Sequence, residues 1–364
     1  MNSERLNALA LIIQTEMNSA NILGKLQNVL AGLQNIVNQP QVPQHQQNLS
    51  KSLKELYPSL ENAKSESLSP AWKEMLKEIG GADLLGINLR HRIEGIFSRN
   101  QITNAIALEE MRMIHNQFSD FKTGIDQVVT GLSKLRIGVD KLEPGECELG
   151  LFIPRTAVED NFGVFAEELS EFSFIFSTFS EVITGKKDDL KIKTLSSSEL
   201  LIFLKPAIKV AAEIATTVAA LISAYKNLLD IKKHREGLKA QNLPEENLTG
   251  IDEYINSVID NAVENIMDNI MQKWGQNISD QNRRNEMKNG IRLSLKKIVS
   301  RIDRGYHIEV RVEPLSESKT DSAPTENNET KNYIQTIQEA VKNLEYIKLV
   351  GAPVLKLPEK IKGN

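Results

Sequence analysis

The chain has 364 residues, of which 40% are hydrophobic and 25% are charged, a composition that excludes an intrinsically disordered protein. Its formal net charge of −4 gives no overall attraction to nucleic acid or to an anionic membrane. Cys147 is the only cysteine, which excludes an intrachain disulfide and a four-cysteine zinc site. Residues 1–13 lack the pattern of a secretion signal, so we expect a cytoplasmic protein.

The first predicted element is a helix over residues 4–38. Its apolar residues follow the four-three rhythm of one buried helical face, at Ile22, Leu26, Val29, Leu33 and Ile36. Residues 39–44 (Gln-Pro-Gln-Val-Pro-Gln) contain two prolines, which end the helix and predict a short linker.

The clearest periodicity lies between residues 101 and 142. Apolar side chains recur there at spacings of three and four without a break, at Met111, Ile114, Phe118, Phe121, Ile125, Val128, Leu132, Leu135, Val139 and Leu142. A heptad series of this length predicts a coiled coil or a long bundle helix. A helix over the whole segment would be about 63 Å long at 1.5 Å per residue.

Three glycines lie seven residues apart in this segment. Gly124, Gly131 and Gly138 each precede an a position, and each costs about 1 kcal/mol relative to alanine inside a helix. One interpretation is that a neighbouring backbone packs closely there, or that the rod bends; the other is that the glycines only weaken a fraying helix end. We treat the three as candidate interaction residues.

Two more heptad series follow, one bulky and one small. The first consists of Phe162, Phe165, Leu169, Phe172, Phe176, Phe179 and Ile183, and the second of Ile208, Ala211, Ala215, Val218, Ile222, Tyr225 and Leu229. Large and small side chains on facing helices interdigitate, so the two helices are candidate partners. Further helices are predicted over residues 251–274, 280–304 and 331–349.

Three short segments are typical of strands, namely residues 149–154, 190–194 and 307–313. The fold class predicted from all these elements is mainly α, with long heptad-patterned helices in a bundle or coiled coil joined to a small α+β unit of about three strands. We expect a helical region over residues 1–145, the α+β unit over 146–315, a flexible polar linker over 316–330, and a C-terminal helix and tail over 331–364.

Chemistry-bearing motifs are missing from the sequence. The histidines (His45, His91, His115, His234 and His307) have no metal-ligand spacing, and no phosphate-binding loop, dinucleotide fingerprint or nucleophile elbow is present. We therefore predict no catalytic residue, no metal and no cofactor. Ser196–Glu199 has capping-box spacing at the start of an apolar helix, an interpretation we prefer to a phosphate site because no glycine is present there.

A basic helix over residues 283–304 suggests one alternative function. Arg284, Lys288 and Arg292 lie four residues apart on one face and can grip phosphates, although no aromatic residue is near to stack on bases. A solvated face or a protein contact is the favoured interpretation, with nucleic acid or an anionic lipid surface as the alternatives.

The apolar segment over residues 200–224 suggests a second alternative function. Lys205, Pro206, Lys209 and Glu213 interrupt it, and the run from Ile214 to Ala224 is too short to cross a bilayer, which needs about 20 residues. A buried bundle helix is favoured over a segment that is released to enter a membrane.

The leading hypothesis is a non-enzymatic coiled-coil interaction protein: a scaffold, an adaptor or a sensor subunit. We expect it to form a homo-oligomer or to bind a protein partner, with no small-molecule ligand. A membrane-acting effector that uses residues 200–224 and a nucleic-acid accessory protein that uses residues 283–304 are the alternatives.

Overall fold

A computed structural model describes residues 3–187, 190–196, 200–315, 324–344, 347, 351–356 and 358. The chain divides into two compact units, Met1–Lys141 (unit 1) and Leu142–Asn364 (unit 2). The described residues contain twelve α-helices and one four-stranded antiparallel sheet, which confirms the predicted mainly α fold with a small α+β part.

Unit 1 is a bundle of six helices. These are α1 (Ser3–Ser19), α2 (Ile22–Asn38), α3 (Pro43–Glu61), α4 (Pro70–Glu78), α5 (Gly86–Arg99) and α6 (Asn104–Lys134). The heptad positions Met111, Phe118 and Ile125 of α6 are buried in one core with side chains of α1, α2 and α5. Helices of the same chain therefore cover this part of the heptad seam.

The single helix predicted over residues 4–38 is wrong, because the chain turns between α1 and α2. Asn21 adopts a left-handed conformation with φ of 47°. Asparagine tolerates this conformation better than most residues, since its short polar side chain can hydrogen-bond locally. The turn allows α1 and α2 to pack side by side on α6.

The long helix ends earlier than its apolar pattern predicts, at Lys134 instead of Leu142. Arg136 is left-handed (φ 57°), and the N–H groups of Arg136 and Ile137 donate to the carbonyls of Ser133 and Leu132, both at 3.0 Å. These two bonds form a Schellman motif, which closes a helix by satisfying its last carbonyls. Gly138 therefore lies outside the helix, and only Gly124 and Gly131 share its edge.

Unit 2 combines a sheet with six helices. Its elements are β1 (Cys147–Ile153), α7 (Phe162–Thr184), β2 (Lys191–Ser196), β3 (Leu200–Lys205), α8 (Ile208–Lys226), α9 (Leu229–Ala240), α10 (Thr249–Trp274), α11 (Gln281–Ile302), β4 (His307–Val312) and α12 (Pro324–Val341). The strand order is β2-β3-β1-β4, and each neighbouring pair is antiparallel.

The strand β3 was not predicted, because Leu200–Lys205 was assigned to the apolar segment that leads into the next helix. A strand inside a sheet needs no polar alternation, so its continuous apolar run does not distinguish it from a buried helix. Pro206 follows it, and α8 begins at Ile208. The expected helix cap at Ser196–Glu199 is therefore wrong: Ser196 ends β2, a strand follows at Leu200, and Ser197, Ser198 and Glu199 lie outside the described residues.

The helix α8 lies at the centre of unit 2. It packs against α7, α10, α11 and α12 and against strands β1 and β4. The bulky α7 and the small-residue α8, which were candidate partners from their sequences, are thus in contact. The C-terminal helix α12 begins at Pro324, so residues 324–330 of the expected linker are helical, and residues 316–323 lie outside the described part. Proline suits a first helical turn because its missing N–H has no partner there.

Candidate interaction surface

The two glycines of α6, and Gly138 beyond its end, have open space at the position of a Cβ. A Cβ added to Gly124, Gly131 or Gly138 would meet no described atom within 4 Å. Beside Gly131 lies a shallow open depression lined by polar side chains of α6 alone, including Thr123, Gln127 and Lys134. The three candidates are thus not brought together with a neighbouring backbone in the described structure.

Close backbone packing occurs at a different glycine, Gly32 of α2. A Cβ there would lie 3.2 Å from the Cα of Leu49 in α3. The sequence does not reveal this contact, since a single glycine inside a heptad helix is also the pattern of a merely tolerated residue.

The basic stripe on α11 is matched by an acidic stripe on α10. Three ion pairs join the two helices in register, Lys288–Asp268 at 2.9 Å, Arg292–Glu264 at 2.5 Å and Lys296–Asp260 at 2.8 Å. The cations and the carboxylates are both spaced by four residues, so each set lies along one helix face. The Arg292 guanidinium lowers the pKa of the Glu264 carboxyl through its hydrogen bonds.

Other cations of this helix also have partners within unit 2. Arg284 donates to the carbonyl of Ile278 at 2.8 Å, Arg283 pairs with Glu181 at 2.7 Å, and Arg301 pairs with Glu168 at 2.8 Å. All three candidate phosphate-gripping residues, Arg284, Lys288 and Arg292, are therefore already engaged. The charge pattern behind the nucleic-acid alternative is accounted for by contacts inside the unit.

By length and composition, one described helix is apolar enough to cross a membrane, and it is α8. Two-thirds of its apolar stretch (67%) is buried in the core of unit 2. A core helix of a bundle has the same composition, so these two properties do not distinguish the membrane alternative from the buried-helix interpretation.

The edge strand β2 is the place where the apolar face of the sheet is left uncovered. Ile192 lies opposite Leu204 and Leu195 lies opposite Ile202 in the register with β3, so all four side chains share one face. On β3 the two residues are buried, whereas Ile192 is 63% exposed and Leu195 is 60% exposed. In the described part of the chain, the helices that pack most closely on the sheet, α8 and α12, contact β1 and β4.

A β-bulge explains how both apolar residues of β2 reach the same face. Ile192 and Leu195 are three residues apart, and strict alternation would put them on opposite faces. The register shifts at Lys193, which opposes no residue of β3. The extra residue restores the apolar face and adds local twist to the edge. The sequence analysis predicted this strand but could not predict the bulge.

Three exposed lysines lie near the exposed pair in the sequence. Lys186, Lys187 and Lys191 are exposed, and none of them forms an ion pair with a described residue. Asp188 and Asp189, which lie between them in the sequence, are outside the described residues. Lys193 pairs with Glu148 at 3.1 Å. Among the described residues next to β2 in the sequence, the exposed charged side chains are thus lysines.

No protein-family profile, curated protein or solved structure matches this chain. In the described part, no three His, Cys, Asp or Glu side chains converge as they would to hold a metal ion. The function is therefore inferred from the geometry of the chain alone.

Proposed function

We propose that the chain is a non-enzymatic interaction protein that binds an extended segment of a protein partner along the edge of β2. The observation that supports this function is the exposure of Ile192 and Leu195 on an otherwise covered sheet face. An edge strand offers unpaired N–H and C=O groups, and an added strand gains affinity from them and specificity from alternate side chains.

Three exposed lysines near β2 support an acidic partner segment over a second copy of the chain. Lys186, Lys187 and Lys191 would attract glutamate and aspartate side chains, and the same lysines on a second copy would be repelled. The proposed partner segment therefore alternates apolar residues, which cover Ile192 and Leu195, with acidic residues.

A coiled coil between chains is not part of this proposal. The buried heptad positions of α6 pack on α1, α2 and α5 of their own unit. Pairing of two chains through this seam would require unit 1 to open. The β2 edge needs no such rearrangement.

The expected contribution of the two apolar residues is modest. Complete burial of an isoleucine or leucine contributes about 1.5–3 kcal/mol, so covering side chains that are 63% and 60% exposed contributes about 1–2 kcal/mol each. Loss of both contacts is therefore expected to weaken binding by at least about 30-fold.

A direct test uses the full-length protein and a fluorescent peptide that alternates valine with glutamate. Fluorescence anisotropy is expected to show saturable binding that weakens as salt increases. The double substitution Ile192→Asp and Leu195→Asp should abolish it, because two carboxylates would replace the apolar contacts. Ile106→Asp is the matched control, since Ile106 is an exposed isoleucine of unit 1.

Three outcomes would overturn the proposal. The first is no binding of the glutamate peptide. The second is equal binding of a control peptide with lysine in place of glutamate. The third is a dimer, detected by light scattering, that the double substitution dissociates. This result would assign the edge to a second copy of the chain.

A further inference from the structure

The C-terminal segment Val354–Lys356 is held by side chains instead of by a strand or a helix. Asp303 Oδ2 accepts from the N–H groups of Val354 and Leu355 at 2.7 and 2.8 Å. Arg304 donates to the carbonyl of Leu355 at 3.0 Å. Asn256 Nδ2 donates to the carbonyl of Val354 at 3.2 Å, and its Oδ1 accepts from the N–H of Lys356 at 3.4 Å. Five consecutive backbone polar groups thus have side-chain partners.

The carboxylate of Asp303 has two donors besides the N–H groups of the segment. Its side chain is 0% exposed, and Oδ1 accepts from Lys232 Nζ at 2.5 Å and from the hydroxyl of Tyr225. Burial raises the pKa of Tyr225, so the phenol remains protonated and acts as a donor. Both donors occupy Oδ1, which leaves Oδ2 to the peptide N–H groups.

Apolar side chains of the core lie beside these polar groups. Leu355 is 4% exposed and belongs to the hydrophobic core of unit 2, and Val354 packs against the same core. Main-chain hydrogen bonds provide affinity that does not depend on the side chains, whereas a buried side chain restricts which sequences fit.

We propose that Asn256, Asp303 and Arg304 form a binding site for a short peptide that carries an apolar pair and bends at the second residue of that pair, and that the chain's own Val354 and Leu355 occupy it. The ligand class is an uncharged Val-Leu-like pair whose two N–H groups both point at one carboxylate oxygen. This site is distinct from β2, which is proposed to take an acidic segment, so either proposal can fail alone.

In the test, the substitutions Val354→Pro and Leu355→Asp displace the chain's own segment from the site in the full-length protein, which is then called the opened chain. Proline removes the N–H that donates to Asp303, and aspartate puts a charge among the apolar side chains around residue 355. The probe is a fluorescent peptide with the sequence of residues 352–360 (Ala-Pro-Val-Leu-Lys-Leu-Pro-Glu-Lys). A control peptide has aspartate in place of the first leucine.

The opened chain is expected to bind the probe, and the unchanged chain to bind it at least about 10-fold more weakly, because its tethered segment competes at high effective concentration. The control peptide should not bind the opened chain. Asn256→Ala in the opened chain should weaken binding of the probe at least about fivefold, because two hydrogen bonds are lost. An opened chain with unchanged helix content that binds neither peptide, or both equally, overturns the proposal.

Hydrogen exchange of the variant Leu355→Ala decides the case if the opened chain loses helix content. If the segment can leave the site without unfolding of unit 2, hydrogen exchange should be faster at residues 354–356 and unchanged in α10 and α11. Faster exchange throughout unit 2 would show that the segment is an integral part of the core, and would overturn the proposal.

Discussion

The buried pair Lys232–Asp303 gives a prediction in which the two single substitutions have unequal costs. Asp303→Ala leaves the Lys232 ammonium, whose side chain is 2% exposed, with the Tyr225 oxygen at 3.1 Å as its remaining hydrogen-bond partner. A buried charge that loses its partner costs about 3–5 kcal/mol. The same change also removes the acceptor of two backbone N–H groups.

Lys232→Met should cost less, about 1–3 kcal/mol, although it removes the same ion pair. Asp303 keeps three donors after this change, from Tyr225, Val354 and Leu355. Hydrogen bonds to a charged group contribute about 1.5–3 kcal/mol each, so the carboxylate remains compensated where the ammonium would not.

The assay is urea unfolding of unit 2 followed by tryptophan fluorescence. The chain has two tryptophans, Trp72 in unit 1 and Trp274 in unit 2, so a Trp72→Phe background makes the signal specific for unit 2. A signal from one unit avoids fitting a two-unit chain to a single transition. The reasoning is refuted if Lys232→Met lowers the free energy of unfolding as much as Asp303→Ala, or if both changes cost less than about 1 kcal/mol.

Three further predictions concern single residues. Gly131→Ala should stabilise unit 1 by about 0.5–1 kcal/mol in thermal unfolding, and Gly131→Leu should be neutral or stabilising, because the added atoms meet open space; destabilisation by leucine would instead indicate a packed neighbour. Burial raises the pKa of the Cys147 thiol to about 12, so a thiol reagent at roughly pH 8 should react with one thiol per chain only after unfolding. Rapid reaction of the native protein would contradict the burial of Cys147. Burial lowers the pKa of His307 from 6.5 to about 4, so protonation favours the unfolded chain, and up to about 3 kcal/mol of stability should be lost as the pH falls from 6.5 through 4. In the variant His307→Gln, the free energy of unfolding measured in urea should vary less with pH over that range. An unchanged dependence on pH would exclude His307 as the cause.

Regular patterns in the sequence predicted most elements of unit 2. The helices α7, α8, α10 and α11 and the strand β4 coincide closely with predicted segments, because their apolar residues follow one clear period. The strand β3 lacks such a period, and no helix was predicted for α3, α4 or α5 of unit 1. The end of α6 was missed because a left-handed Arg136 has no strong sequence signal.

The surfaces were harder to predict than the elements. The cations of α11 were recognised, but their neutralisation depends on the packing of α10 alongside them. The spacing of Asp260, Glu264 and Asp268 by four residues was a signal in the sequence that could have indicated it. The β2 edge depends on a bulge, which periodicity does not reveal. The peptide-holding groups Asn256 and Asp303 meet Val354 only after folding, since they are far apart in the sequence.

The central claim is that the β2 edge binds an acidic, extended partner segment. The most direct measurement is the anisotropy titration of the valine–glutamate peptide with the full-length protein and with its Ile192→Asp, Leu195→Asp form. The account predicts saturable, salt-sensitive binding to the unchanged protein and to the Ile106→Asp control, and a loss of at least about 30-fold in the double variant. Equal affinity for the unchanged protein and the double variant would contradict it.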